Sequence, residues 1–229
     1  MIRKIIESIE LLLFPNTCVV CGKLLLGGEE HICLQCLFSL PRTNFHCDRE
    51  NRVEKRFFGK IDVVEASAFF YFNKGSDFRK LIHHLKYKDG KDIGRILGKH
   101  AARELIESGT FDNIDCIVPL PLHKKKERKR GYNQAEWIAM GLSQALGKPL
   151  VNKGVERKRA NVTQTRKGVL DRWLNVKDIF EVTTPDALRG KHILLVDDVV
   201  TTGATLESCA LSLLKVEDVK ISIFALAVA

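Results

Sequence analysis

Cys18, Cys21, Cys33 and Cys36 form the pattern C-x2-C-x11-C-x2-C. Two residues between the members of a pair let both sulfurs face one ion, and the eleven-residue spacer brings the pairs together. Four thiolates suit a tetrahedral zinc ion with no open position, which makes such a site structural. An iron–sulfur cluster is the other occupant this donor set takes. Gly22 follows the first pair, and a left-handed turn there would aim backbone N–H groups at the sulfurs. His31 reads as a bystander and Cys47, after His46, as an unligated thiol. Cys116 and Cys209 fall on a strand and on a helix face, where core packing explains them.

The second chemical stretch is His192-Ile-Leu-Leu-Val-Asp-Asp-Val-Val-Thr-Thr-Gly-Ala-Thr205. The apolar run His192–Val196 predicts a buried strand that leads into two carboxylates, then a Thr/Gly turn and a helix. Ligands of open parallel sheets gather at the carboxyl ends of strands, where this turn would lie. Gly203 lets the backbone approach an anion closely, and the hydroxyls, amides and helix N-terminus favour negative charge. Asp197 and Asp198 repel phosphate but accept hydrogen bonds from paired sugar hydroxyls. The residue types therefore divide the labour: sugar diol on the acids, 5′-phosphate on Thr201, Thr202, Gly203, Ala204 and Thr205. The bland alternative is two solvated aspartates capping the following helix.

A third feature is the run His123-Lys-Lys-Lys-Glu-Arg-Lys-Arg130, six cations against one acid. It would draw polyanions, and sequence-independent nucleic-acid binding rests on such clusters. Single-strand binding also wants stacking surfaces. Phe57, Phe58, Phe69, Phe70, Tyr71 and Phe72 are candidates that read equally as core, just as the charge run reads as a solvated face.

The elements that must position these residues follow from periodicity. Residues 1–13 carry an apolar stripe (Ile2, Ile5, Ile6, Ile9, Leu12, Leu13) at helical spacing, suited to docking on protein or on lipid. From about residue 60 the patterns lengthen. Strands are expected at Ala66–Phe72, Ile114–Val118, His192–Val196 and Val219–Val228. Helices are expected around Phe78–Leu85, Ile93–Leu105, Ala135–Leu146 and Leu206–Leu214. Residues 157–178 are polar and basic with weak periodicity, as in a long loop or flap. Strands alternating with helices imply an α/β fold with a parallel sheet.

The chain has 229 residues and 45% hydrophobic content, enough for one α/β domain plus a small appendage. The formal charge of +9 fits anionic ligands such as phosphates, nucleic acid or an acidic membrane surface. No stretch reaches the roughly 18–20 apolar residues of a membrane span. Glu7 and Glu10 interrupt the N-terminal apolar stretch and argue against a signal peptide. A cytoplasmic location is expected.

The stretch around Asp197-Asp198 resembles the phosphoribosyl-pyrophosphate motif of type I phosphoribosyltransferases. The chain as a whole resembles the ComF family, competence-associated proteins that join a four-cysteine module to such a domain. Leu85-Lys-Tyr87, Val118-Pro-Leu-Pro-Leu-His123, Arg130-Gly-Tyr-Asn-Gln134, Arg172-x-x-Asn175 and Phe180 carry the likeness in order. The resemblance implies a type I phosphoribosyltransferase-like parallel sheet flanked by helices (59–229), with a small N-terminal helix and zinc module (1–58). It implies ribose hydroxyls on Asp197 and Asp198, the 5′-phosphate on Thr201–Thr205, and pyrophosphate on the turn after Val118 (Pro119, Leu120). It assigns residues 157–178, with Arg159 and Gln164, to a flexible loop, and Mg²⁺ to the bound phosphoribosyl pyrophosphate. Members acting on 6-oxopurines carry an acid where Thr201 stands, which disfavours that acceptor. Asn161 replaces the threonine of the family's R-x-T-x-x-Q, and a second cysteine pair is reduced to Cys47, so one zinc is expected.

Two functions are then in play. One is a phosphoribosyltransferase moving ribose 5-phosphate to an acceptor for which no general base can be named. The other is a non-enzymatic DNA-uptake factor that contacts single-stranded DNA and partners in the competence machinery.

Overall fold

The structure, a computed structural model, describes residues 16–73, 75–87, 90–158 and 179–229. In chain order the elements are α1 (Leu34–Phe38), β1 (Ala66–Tyr71), α2 (Arg79–Lys86), α3 (Gly90–Ser108), β2 (Cys116–Pro119), α4 (Lys124–Arg130) and α5 (Gln134–Leu146). They continue with β3 (Val155–Arg157), β4 (Phe180–Val182), α6 (Pro185–Leu188), β5 (His192–Val200), α7 (Ala204–Leu213) and β6 (Lys220–Val228). Four strands form a sheet of order β1-β6-β5-β2, every neighbouring pair parallel.

Period-two alternation gives this sheet two apolar faces. Ile193 and Leu195 share one face with Ile221, Ile223 and Ala225, and α7 covers it with Leu206, Cys209, Ala210 and Leu213. Leu194 and Val196 share the other with Phe224 and Leu226, covered by Leu81 and Leu85 of α2, Ile93 and Leu97 of α3, and Ile138 and Leu142 of α5. Burial on both faces is why the strands read as continuous apolar runs rather than alternating ones. On this second face α3 and α5 pack nearly backbone to backbone. A Cβ on Gly141 would stand 2.1 Å from the Arg95 carbonyl oxygen, and one on Gly98 would stand 2.3 Å from that of Ile138.

The N-terminal segment wraps round the β1 edge. Val20, Ile32, Leu37 and Leu40 join the core on the α2/α3/α5 side, whereas Phe45, Val53 and Phe57 join it on the α7 side. Between them Arg42 bridges Phe70 antiparallel, and main-chain bonds run from Tyr71 to Pro41 and from Thr43 to Phe69. The crossing gives partners to the exposed edge of β1. On the opposite edge Leu150 pairs with Ile117.

The structure departs from the expected elements in three places. The strand expected at His192–Val196 runs on to Val200, because β6 keeps pairing with it through Asp197↔Ala225, Val199↔Ala227 and Val200↔Val228. The acids thus stand on the strand rather than in a loop. The basic run is a helix, α4, started by His123, whose Nδ1 accepts from the Lys125 amide at 3.2 Å. Arg157, placed by periodicity at the start of a long loop, closes strand β3, which pairs antiparallel with β4. The expected N-terminal helix at 1–13 and the rest of the predicted flap, with Arg159, Gln164 and Arg172-x-x-Asn175, lie outside the described residues. Among the described residues no helix is long and apolar enough to cross a membrane.

Candidate functional site

Parallel pairing sends the carboxyl ends of β2, β5 and β6 to one edge of the sheet, and the predicted residues that fall there come together. Asp197 and Asp198 are partly buried, whereas Thr201, Thr202 and Ala204 are exposed. The Asp197 carboxylate accepts the Asp198 amide at 2.8 Å, and the Asp198 carboxylate accepts the Val199 amide at 2.8 Å. Neither acid caps the following helix. The α7 cap is Gly203, at φ +80°, which has no side chain to offer; the one first-turn amide met by a side chain among the described residues is that of Ala204, accepted by Thr202 Oγ1 at 3.4 Å. The acids are therefore not the caps of α7, and the first-turn amides beyond Ala204 remain available to an outside acceptor.

The electrostatics of this edge are uneven. Burial, and then the neighbouring Asp198 charge, push the Asp197 carboxyl well above the ordinary carboxylate range. Lys86, the last residue of α2, brings its Nζ to 3.7 Å from Asp198 Oδ2. Arg157, 9% exposed, lies over the Phe180 ring at 5.3 Å; burial lowers its pKa while the charge of Asp197 raises it. Burial holds the Cys209 thiol up, and Asp197 adds to that. Sequence reasoning gave Lys86 and Arg157 no role. Lys86 could have been found in Leu85-Lys-Tyr87, whereas Arg157 carries no signal beyond one cation in a short strand.

The segment Arg130-Gly-Tyr-Asn-Gln134 braces this edge. Arg130 Nη1 donates to Gln134 Oε1 at 2.6 Å, and the Tyr132 hydroxyl donates to the Leu85 carbonyl at 2.5 Å, one residue before Lys86. Asn133 Nδ2 donates to the Leu120 carbonyl at 3.0 Å, and its Oδ1 accepts the Ala135 amide at the start of α5. Leu120 in turn donates its amide to the Val196 carbonyl at 2.8 Å. Pro119, expected in the turn, is instead the last residue of β2, paired with Val196, and Leu120 follows it; both are buried and locked one peptide from Asp197. A cavity of about 580 Å³, lined by His46, Cys47, Glu65 and Ser108 among others, lies instead at the amino end of β1, away from the acids.

The cysteine set also converges. The sulfurs of Cys18, Cys21, Cys33 and Cys36 all lie within 4.8 Å of one another, and Cys21 and Cys33 are 3.8 Å apart. A metal–sulfur length of about 2.3 Å puts the corners of a tetrahedron about 3.8 Å apart, so the donors fit one ion. Gly22 takes the predicted left-handed turn at φ +75°, but its amide goes to the Cys18 carbonyl. Donors directed at sulfur include the amides of Cys33, to Cys18, and of Cys36, to Cys33, each at 3.4 Å. Burial pushes the Cys18 thiol up, yet amides of Cys21, Cys33 and Val20 outweigh it and bring it down to about 7. Cys47 is exposed and outside the set, whereas Cys116 and Cys209 are buried core.

A parallel sheet with helices on both faces, carrying two acids and a Thr/Gly turn at the carboxyl end of an inner strand, is a phosphoribosyltransferase-type domain. The family model described as phosphoribosyl transferase domain matches residues 132–229. The chain is 29% identical over 203 residues to the DNA utilization protein YhgH of Escherichia coli, covering 86% of this chain and 84% of that protein. It is 31% identical over 151 residues to competence protein F of Haemophilus influenzae (64% and 66% covered). It is 37% identical over 113 residues to competence protein ComFC of Bacillus subtilis (47% and 44% covered). The matched domain and the likeness to these competence and DNA utilization proteins together support the ComF family for this chain.

Proposed function

We propose that this protein binds phosphoribosyl pyrophosphate at the carboxyl edge of β5 and transfers ribose 5-phosphate to an acceptor. In this reading Asp197 and Asp198 take the ribose hydroxyls, and Thr201, Thr202, Gly203, Ala204 and Thr205 take the 5′-phosphate. Pro119 and Leu120 shape the pyrophosphate turn, and Arg159 and Gln164 belong to a loop that closes over the sugar. Mg²⁺ bound with the ligand would neutralise the pyrophosphate as it departs. Residues 1–58 form a unit held by zinc on the four cysteines, and residues 59–229 form the sugar-phosphate domain.

The observation that carries this reading is the pair of acids near the end of β5, ahead of the Gly203 turn and a helix N-terminus that neither acid caps. Lys86 holds Asp198 in place, and the carboxylate keeps lone pairs free for a diol. The test is calorimetry of the full chain with phosphoribosyl pyrophosphate, followed by assays of its consumption with a panel of amines and bases. Hydrogen bonds to charged groups contribute roughly 1.5–3 kcal/mol each. Asp198→Ala should therefore weaken binding by about one to two decades; unchanged affinity would place the sugar elsewhere.

A second reading is a competence factor that contacts single-stranded DNA without chemistry. The names of the relatives support it, as does the solvent-facing basic surface of α4, whose Lys124, Lys125, Lys126, Arg128 and Lys129 are all exposed.

A further inference from the structure

We infer that Arg56 is a phosphate ligand of the Thr201–Thr205 turn, supplied from the N-terminal segment rather than from residues 59–229. The inference rests on the sugar-phosphate reading of that turn and adds a residue to it. Neither composition nor spacing singles out Arg56, one cation in the stretch Arg52-Val-Glu-Lys-Arg56.

The segment is seated directly on the turn. A Cβ on Gly203 would stand 3.1 Å from Cε1 of Phe57 and 3.6 Å from the Cβ of Arg56. Gly203 therefore serves two ends, the left-handed φ and room for this segment. Lys60 fastens the contact: its Nζ donates to the Arg56 carbonyl at 2.8 Å and lies 3.5 Å from Glu207 Oε2, in the first turn of α7.

The guanidinium is held at the same edge. Arg56 Nη2 donates to the Ala229 carbonyl oxygen at 2.6 Å, and the Ala229 amide donates to the Val200 carbonyl at 3.1 Å. Val200 is the residue before Thr201, so one fork of the guanidinium is anchored beside the start of the turn. The other fork, Nη1, is buried and has no hydrogen-bond partner among the described residues. A buried, unpaired donor on a charged group is unfavourable, and planar, two-pronged guanidinium chemistry matches phosphate oxygens. Burial, and then the charge of Arg52, hold the Arg56 pKa below its ordinary value, a strain that an anion at the turn would relieve. The ligand class is a sugar phosphomonoester, gripped by the threonine hydroxyls on one side and by Arg56 on the other.

The test is titration of the full chain with ribose 5-phosphate at two ionic strengths, for wild type, Arg56→Gln and Arg56→Lys. Loss of one charge-assisted contact predicts about ten- to a hundredfold weaker binding for Arg56→Gln. The salt dependence should become shallower, because one cation no longer meets the anion. Arg56→Lys should fall between, keeping the charge but losing the fork. Equal affinity in wild type and Arg56→Gln overturns the assignment and leaves the sugar-phosphate reading intact. Weaker binding with an unchanged salt dependence also overturns it, since packing alone would then explain the loss. Should Arg56→Gln fail to fold, Arg56→Lys decides: reduced affinity at unchanged melting temperature supports the contact, and wild-type affinity overturns it. Wild type that binds neither ribose 5-phosphate nor phosphoribosyl pyrophosphate removes the reading of the turn, and the assignment of Arg56 with it.

Discussion

The Tyr132 hydroxyl donates to the Leu85 carbonyl across 47 residues of sequence, at 2.5 Å. Through that bond the approach to α5 fixes the end of α2, and the next residue, Lys86, reaches Asp198. Three separate stretches, around Leu85, Tyr132 and Asp198, are thereby held as one unit at the carboxyl edge of the sheet. The contact leaves no slack: a Cβ on Gly90 would stand 2.2 Å from the Tyr132 oxygen.

Tyr132→Phe removes this bond while keeping the ring. The net loss should be about 0.5–1.5 kcal/mol, with a fall in melting temperature of a few degrees. Sugar-phosphate affinity should drop as well, because Lys86 loses its brace. Gly90→Ala should destabilise more than Tyr132→Phe, since it forces backbone to move. Thermal unfolding and ligand titration on both variants check the order.

The four cysteines predict one zinc per chain. Structural zinc can contribute on the order of 10–16 kcal/mol to the folding of such units. Val20, Ile32 and Leu37 pack in the same core as Phe70 and Leu81, so stripping the metal should loosen that face of the sheet as well. Cys33→Ser should give poorly soluble protein, whereas Cys47→Ser should retain the metal and the stability of wild type. Metal analysis of freshly purified, unchelated protein checks the stoichiometry, and its absence would defeat the assignment.

Asp197 predicts a pH-dependent stability. Its carboxyl sits above the ordinary range in the folded state, through burial first and the Asp198 charge second. The folded protein therefore holds this proton over a window in which the unfolded chain has lost it, and stability falls as pH rises through that window. Asp197→Asn removes the effect. Its melting temperature should match wild type below the usual carboxylate range, then exceed it increasingly as pH rises, levelling off once Asp197 ionises in the fold. The same variant should bind sugar phosphate more weakly, gaining stability at the expense of the site. Melting curves across the pH range settle it; a constant difference at every pH would exclude the acid as the source.

How far the sequence spoke depended on whether a signal was local. The strand-to-turn stretch at 192–205 and the cysteine spacing are local patterns, and both assemble as their residue types imply. The extent of β5 was not legible, because only β6, far along the chain, keeps Asp197 to Val200 paired. The same holds for Lys86, Arg157 and Arg56: each reaches the edge through contacts between segments distant in sequence. The wrapping of residues 41–57 round β1 likewise depends on main-chain bonds, from Tyr71 to Pro41 and from Thr43 to Phe69, that no side-chain pattern announces.

The basic helix gives the last prediction. Spacing alone separates the cations at 124–130 from the acids at 197–198, and the fold brings them nearer, since β2 leads through Pro119 and Leu120 into α4 at the acids' own edge. The side chains nonetheless differ in what they face. Lys124, Lys125, Lys126 and Lys129 are exposed, and Lys124 makes only a loose 3.9 Å pair with Glu156. Their charges are free to meet a phosphodiester backbone, whereas Asp197 and Asp198 repel one. Replacing the four lysines with alanine should weaken binding of single-stranded DNA and flatten its salt dependence. For single strands each lost phosphate contact lowers the logarithmic slope by about 0.7, so four would lower it by up to about 3. The Asp197→Ala, Asp198→Ala double variant should keep both affinity and slope while losing sugar phosphate. Titrations of the two variants at several salt concentrations decide between one shared surface and two adjoining ones. If the acid variant alone loses DNA, the strand enters the sugar-phosphate site itself and α4 is a solvated face. If neither variant nor wild type shows salt-sensitive DNA binding, yet wild type consumes phosphoribosyl pyrophosphate, the transferase reading stands without the DNA.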